Sequence, residues 1–446
     1  MKLWFKDGVF RAVIRNASYL GSAKLLGVPL SLVALACAGH GLSAVLFGTL
    51  MVIHTYTTGA GALVKFQTWQ FIVRYGAPAL LRGENRLARD TIRFALGLDL
   101  MSGLLGMIGA MALLPWLAGY FGIGGSNLWL ALFYCTLVPT MSAATATGVL
   151  RVLDRFDLIG VQQLATPALR AIGGVLSYYG HLGFSGFVVT WYVADIAGDL
   201  ILWAMAAREL HRREMLDAFR PGLFGTARRL PNAWSFVWTT NIAHSIYAAW
   251  GPLSNLVVAS ILGPVAAGLY KIASTLLDST SKPAELLSRG FYPEIMRLDP
   301  VSKKPWQLGV RVGLIAGGIG MMAALAIMLG GRPLIGLIFG KKYLDASGLF
   351  SMMTWALMIS MASFPLESLL YMVGQQKAAL AAQAGSAILY LAMLYSLTRH
   401  YGLVGAGTAY LAGTILMAIF MLVPTLSSYW RRHATVMVGQ VAGAGL

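Results

Sequence analysis

The sequence predicts an all-α polytopic membrane protein of about twelve transmembrane helices. They form two six-helix lobes related by a parallel pseudo-two-fold repeat, with both termini cytoplasmic. Three observations carry this. Of 446 residues, 57% are hydrophobic and only 11% charged, with mean hydropathy +0.69; soluble domains carry about 25% charged residues. Twelve apolar stretches approach or exceed the roughly 20 residues that span a bilayer. Midway lies the longest polar run, RELHRREMLDAFRPGLFGTARRL, with six arginines between Arg208 and Leu230. It divides lobe 1–207 from lobe 232–428, as a cytoplasmic linker at 208–231, with a cytoplasmic tail at 429–446.

The spans fall at 16–38, 42–65, 94–120, 128–149, 158–179 and 185–207, then 233–260, 265–281, 308–330, 349–373, 379–397 and 404–428. Basic residues test the count. Loops sharing a side with the N-terminus hold 26 of the 34 lysines and arginines, and the opposite loops hold four. A wrong helix number would scramble that alternation, so the basic side is the cytoplasmic one. The net charge of +17 is then charge retained in cytoplasmic loops, and no nucleic-acid partner is expected. The N-terminal MKLWFKDGVFRAVIR lacks the short apolar core and small-residue cleavage site of a cleavable signal. Outer loops such as AGHG and YGHLGFSG are Gly-rich turns, while GRPLIGLIFGKKYLDAS is amphipathic and expected in the interface. The inner connections FQTWQFIVRYGAPALLRGENRLARD and SRGFYPEIMRLDPVSKKPWQLG read as surface helices. Each follows the second helix of its half, which supports the repeat. Pro29, Pro139, Pro167, Pro252 and Pro365 are candidate kinks.

Ionisable groups inside spans cost about 2.5–3.5 kcal/mol on insertion scales and default to functional candidates. Lys24 lies about 12 Å in from the cytoplasmic end, Arg170 about 18–20 Å in, and Lys271 about 10 Å from the outer end. Each either lines a cavity, where a phosphate-bearing ligand would meet it, or pairs with a buried acid; Lys65, near a helix end, reads as snorkelling. Asp195 and Asp199, spaced i, i+4, share a face at the depth of Arg170. They either form an ion pair with Arg170 or bind a coupling H⁺ or Na⁺. His54 and His244 read as hydrogen-bonded packing residues. Cys37 and Cys135 fall in apolar segments and imply neither a disulfide framework nor a metal site.

There is no GxxxxGK[ST], HExxH, Cys/His ligand cluster or paired carboxylate on an exposed loop. Vectorial movement, without catalytic residues, cofactor or metal, is the expected role; the chain is not expected to be an enzyme.

Several stretches resemble the Wzx-type O-antigen and exopolysaccharide flippases of the multidrug/oligosaccharidyl-lipid/polysaccharide exporter superfamily. They are LFGTLMVIHTYTTGAGALVKFQTWQFIVRYGA, GVLRVLDRFDLIGVQQLATPALR, ILGPVAAGLYKIASTLLDSTSKPAELLSRGFYPEI and LIFGKKYLDAS. The resemblance covers nearly the whole chain, through loose patterns rather than catalytic signatures. It implies an inner-membrane flippase moving an undecaprenyl-pyrophosphate-linked oligosaccharide by ion-coupled alternating access through a cationic cavity. The expected partners are that lipid-linked substrate, a coupling H⁺ or Na⁺, the bilayer and other polysaccharide-assembly proteins. On this reading Lys24, Arg170 and Lys271 line the cavity, Arg151 and Arg289 greet the pyrophosphate at inner helix ends, and Asp195 and Asp199 couple the ion. Lipid II flippases usually have fourteen helices, which argues against that branch. Two alternatives stay open: a cation-coupled multidrug exporter of the same fold, and a membrane sugar transferase or polymerase. Short outer loops and the missing acidic cluster weigh against the latter.

Overall fold

A computed structural model describes residues 8–223, 230, 232–296, 298–300 and 302–443. Two compact units make up the chain, Met1–Gly268 and Leu269–Leu446. The described residues are helical throughout their regular parts. In the first unit α1 is Gly8–Gly41 and α2 is Ala44–Val64. Next come a short α3 (Thr68–Phe71), a π-helical turn (Ile72–Gly76) and α4 (Ala77–Leu81). Then follow α5 (Asn85–Ala118), α6 (Ser126–Cys135), α7 (Val138–Met141), α8 (Ala144–Val152), α9 (Phe156–Tyr179) and α10 (Gly183–His211).

A helical run Ala233–Ile295 is broken at Gly263, where φ is 83°. We number its parts α11 (233–262) and α12 (264–295). Gly263 precedes Pro264, which disfavours helical backbone at the residue before it, and a positive φ there needs glycine. A positive-φ glycine recurs at Gly402 (φ 62°), there without a following proline, dividing Gln376–Gly443 into α15 (376–401) and α16 (403–443). Between them lie α13 (Lys304–Phe339) and α14 (Ala346–Met372).

Eight helical runs among the described residues have the length and hydropathy to cross a membrane, and two of these contain the breaks at Gly263 and Gly402. Splitting those two and adding α2 and α9, of 21 and 24 residues, gives twelve crossings. This is the expected number.

Three boundaries differ from the sequence reading. α5 begins at Asn85, so residues read as loop form its amphipathic first turns. The fourth crossing is not one helix: it is interrupted between Cys135 and Ala144, around Pro139, leaving α6, α7 and α8 in series. The stretch expected to lie separately in the interface instead continues α13 through Pro333 to Phe339. Its buried Ile335 and Phe339 anchor that extension.

Small residues set the helix crossings, as expected where lipid supplies no hydrophobic drive between helices. A Cβ on Gly160 of α9 would sit 2.9 Å from the Tyr19 carbonyl oxygen of α1, and one on Gly174 only 3.4 Å from the Ala34 Cα. In the second unit, Gly309, Gly313, Gly317 and Gly320 make a stripe along α13 against Leu369, Ala362 and Met358 of α14. Its polar ties are equally local: Glu367 accepts from Tyr371 (2.8 Å) and from Gln383 on α15 (2.9 Å), and the Tyr270 and Tyr390 hydroxyls meet at 3.1 Å.

A close backbone crossing in the first unit sets α2 against the start of α12. A Cβ on Gly48 would fall 1.9 Å from the Pro264 carbonyl oxygen, a backbone atom that cannot rotate away. Gly48→Ala is therefore expected to destabilise by about 1–3 kcal/mol, read as a lowered midpoint in thermal unfolding of the purified protein; an unchanged midpoint would show that α2 and α12 are free to separate.

Candidate functional site

Four helices of the first unit aim polar side chains at one point. The centre is Asp195 on α10, a buried carboxylate. Arg170 of α9 donates to its Oδ1 through Nη2, and the Tyr134 hydroxyl of α6 donates to its Oδ2 at 2.8 Å. His54 of α2 stands behind Tyr134, with Nδ1 3.2 Å from the phenol oxygen and 3.8 Å from Asp195 Oδ2. Since Tyr134 spends its one proton on Asp195, its oxygen can only accept from His54; that assigns the Nδ1–H tautomer. The result is one chain, His54 to Tyr134 to Asp195, closed by Arg170.

Trp191, one helical turn before Asp195 and fully buried, completes the walls. Its ring lies 4.9 Å under the Arg170 guanidinium and edge-on to His54 at 5.4 Å. A stacked guanidinium keeps its N–H groups in plane and free to bond elsewhere. Two buried donors here, Arg170 Nε and Trp191 Nε1, have no hydrogen-bond partner among the described residues. A stacked cation with a spare donor is a suitable receptor for an anionic oxygen.

Of the two carboxylates expected on one face, only Asp195 pairs with Arg170. Asp199 accepts instead from Thr140 of α7 at 3.1 Å. It is the break in the fourth crossing that turns Thr140 inward. The same break is held from the other side by Asp99 of α5, fully buried, which accepts from Thr68 at 2.9 Å and from the Thr145 backbone N–H at 2.8 Å. That carboxylate caps the N-terminus of α8 from a distant helix, satisfying a donor that the chain leaves open there.

The other expected cations are dispersed. Lys24 is half-buried on α1, and Lys271 is half-buried in the second unit. Arg151, at the inner end of α8, lies 3.8 Å over the Trp69 ring, its Nε buried and without a hydrogen-bond partner. The Arg289 side chain lies outside the described residues, as does that of His244. At the inner ends of α9 and α10, Arg155 bridges Asp157 (2.9 Å) and Glu209, and Arg212 joins Glu209 at 3.1 Å. The hydrogen bonds from Arg155 hold the Asp157 carboxyl below the usual carboxylate range.

Sequence reasoning placed Arg170 and Asp195 together and passed over Tyr134 and Trp191, which count among the hydrophobic residues. The i, i+4 spacing of Trp191 and Asp195 was the available signal. His54, read as a packing residue, does make a packing-type hydrogen bond, and that bond leads into the charged centre.

These features define a class: a multi-pass helical membrane protein with an ionic centre inside its first helical unit. No family model matches the chain. Among solved structures it is similar to an inward-facing multidrug resistance MATE family transporter of the MOP superfamily. That match has TM-score 0.73 at 15% identity and covers 92% of this chain and 95% of that one. It is also similar to the lipid II flippase MurJ in an inward closed conformation, with TM-score 0.67 at 12% identity over 95% and 91% of the two chains. The fold is therefore that of MATE and MurJ transporters, about twelve transmembrane helices in two lobes.

The chain is 49% identical to the inner membrane protein YghQ of Escherichia coli (strain K12) over 346 residues, which is 78% of this chain and 98% of that protein. It belongs to the YghQ family, and it is a multi-pass protein of the inner membrane.

Breaking a buried pair by removing one partner costs about 3–5 kcal/mol, more than replacing both with apolar groups. Arg170→Ala thus strands Asp195, and the structure predicts that Arg170→Leu/Asp195→Leu unfolds at a higher temperature than either single leucine variant. Strictly additive losses in a thermal double-mutant cycle would show that the two charges do not support one another.

Proposed function

We propose that the protein flips undecaprenyl-pyrophosphate-linked oligosaccharide repeat units across the inner membrane, for O-antigen, capsule or exopolysaccharide assembly. The observation that carries this reading is Arg170, held inside the bundle over the Trp191 ring with its Nε–H unpartnered among the described residues. A pyrophosphate offers the charge and the several acceptor oxygens that such a site satisfies. The inner-membrane location, the likeness in fold to a lipid II flippase and the resemblance to Wzx-type sequences all support it.

The coupling follows from competition. Arg170 serves either Asp195 or the pyrophosphate. A proton delivered along His54 and Tyr134 to Asp195 cancels the carboxylate's hold, and Arg170 turns to the ligand. Loss of that proton restores the ion pair and expels the ligand. In this scheme Asp195 is the coupling carboxylate, with Asp199 one turn away as a second stop. Lys24, Lys271, Arg151 and Arg289 supply further positive charge along the route, and the linker 208–231 joins the two moving lobes. The hydrogen-bonded chain favours H⁺ over Na⁺ as the coupling ion.

The likeness to a multidrug resistance transporter supports a second reading, export of organic cations, for which the indole and carboxylate of Trp191 and Asp195 would serve. One experiment separates the two. Purified protein is reconstituted in liposomes with a fluorescent undecaprenyl-pyrophosphate oligosaccharide, with and without an imposed pH gradient. Gradient-dependent transfer between leaflets is expected, abolished in Asp195→Asn, which keeps the shape but cannot exchange the charge. Absence of transfer, together with accumulation of ethidium or another organic cation in the same vesicles, would replace the flippase with the exporter.

A further inference from the structure

A cavity in the first unit lies away from Arg170. It measures about 500 Å³ and opens where the C-terminal end of α1 meets the turn between α9 and α10. Its walls are His40, Ser177, Tyr178, Tyr179 and His181, with Gly41 and Gly183 beneath them. α9 starts at the Arg155 ion cluster and reaches this cavity 24 residues later. At 1.5 Å per residue the two lie about 36 Å apart, close to a bilayer's thickness. The cavity therefore faces the side opposite the basic loops.

Its chemistry differs from that of the Arg170 centre. The lining has no lysine, arginine or carboxylate, only two imidazoles, two phenols and a hydroxyl. Tyr178 stands nearly perpendicular both to His40 (centroids 6.4 Å, 77°) and to Tyr179 (5.2 Å, 75°). Adjacent aromatic faces therefore point in different directions around the space. Tyr179 is 75% exposed, so its ring is available for stacking.

The polar atoms are fixed as well. The His40 Nδ1–H donates to the Ala36 carbonyl at 2.9 Å, which leaves Nε2 of the neutral ring as an acceptor. The Ser177 hydroxyl is held against Thr190 at 3.1 Å. His181 sits in the left-handed region (φ 50°) and Gly183 follows it there (φ 65°). Backbone bonds from His181 to Tyr178 and from Leu182 to Ser177 lock that turn. A bulky residue rarely adopts this conformation, although histidine is among those that tolerate it.

We infer that this cavity is a carbohydrate subsite, receiving a neutral sugar on the outer side of the protein. A volume near 500 Å³ lies within the range of small-molecule sites, in which a few polar groups orient the ligand and aromatic surface holds it. A sugar ring offers apolar C–H faces to Tyr178 and Tyr179. Its hydroxyls both donate, to the His40 Nε2, and accept, from the phenols. A phosphate would find no cation here, and a hydrocarbon chain would strand the imidazoles.

The inference deepens the proposed function and rests on it for its place in transport. Tyr179 lies nine residues beyond Arg170 on α9, about 13 Å along the axis. Sugars attached to a pyrophosphate at Arg170 would extend toward this pocket, so that the glycan is received outside while the lipid's charge is still held within.

The test needs no transport. Saturation-transfer NMR on the full-length protein in nanodiscs, with free lactose, cellobiose and chitobiose as probes, should show millimolar binding of at least one disaccharide. Tyr179→Ala and His40→Ala should each weaken it about tenfold or more. Tyr179→Phe, which keeps the ring, should retain it, as should Trp69→Ala at the opposite end of the bundle. Binding of none of the three sugars, or equal binding by wild type and the Tyr179→Ala/His40→Ala double variant, would overturn the subsite. The flippase reading fails separately: disaccharide binding lost in these variants, but with no transfer of the lipid-linked probe in liposomes, would keep the sugar site and discard the transport scheme. Transfer without sugar binding would do the reverse.

Discussion

The cost of placing a charge in an apolar bundle governs the first unit. Asp195 would be expelled or neutralised by its surroundings if it stood alone, since ionised groups leave water only with partners. Arg170 supplies charge, Tyr134 a proton and Trp191 a polarisable face. Each comes from a different place in the sequence, so satisfying one carboxylate fixes three helices, and His54 adds the fourth. The geometry tolerates little. α9 and α10 approach closely enough that a Cβ on Gly198, between Asp195 and Asp199 on the chain, would lie 1.8 Å from the Thr166 hydroxyl. Close packing of small residues is what brings the guanidinium within reach of the carboxylate, and the ion pair in turn holds that approach.

A second carboxylate does a different job by similar means. Asp99 is fully buried, yet it meets no guanidinium; three hydrogen bonds from Thr68 and Thr145 serve it. These bonds join α5, the short α3 and the start of α8. The fourth crossing can therefore break at Pro139 without leaving its backbone unsatisfied in the membrane, where no water would make up the loss. That break is what turns Thr140 toward Asp199. Two acids thus divide the work: Asp99 stabilises an irregular backbone, and Asp195 organises the ionic centre.

How much of this was legible in the sequence depends on the scale of the signal. The twelve crossings were legible because each is a run of some twenty apolar residues and because basic residues alternate between loops. The proximity of Arg170 to Asp195 was legible from depth alone, counted in residues from the helix ends. Which of the two i, i+4 acids would win was not, since that depends on Thr140, whose direction is set by a helix break several residues long. Tyr134 and Trp191 were hidden by chemistry: an aromatic with one polar atom reads as core until its neighbour is known. Arg151 was legible as a cation at an inner helix end, but its partner is the ring of Trp69 rather than an acid. The extension of α13 to Phe339 was misread because Gly and Pro at 331 and 333 look like an end. Buried Ile335 and Phe339 outweigh them, in line with tertiary packing overriding local propensity.

The contrast between the two ends of α9 gives the clearest sense of direction in the molecule. At its inner end Arg155 and Asp157 join Glu209 and Arg212 at the end of α10 in an ionic cluster, its middle carries Arg170, and at its outer end Tyr178 and Tyr179 stand beside His40 and His181. A ligand that is anionic at one part and hydroxyl-rich at another matches that gradient better than a compact organic cation does, because Asp195, the carboxylate at the centre, already holds Arg170. Both readings require the Arg170–Asp195 pair to open; they differ in which member meets the ligand, the carboxylate for an organic cation and the guanidinium for an anionic oxygen.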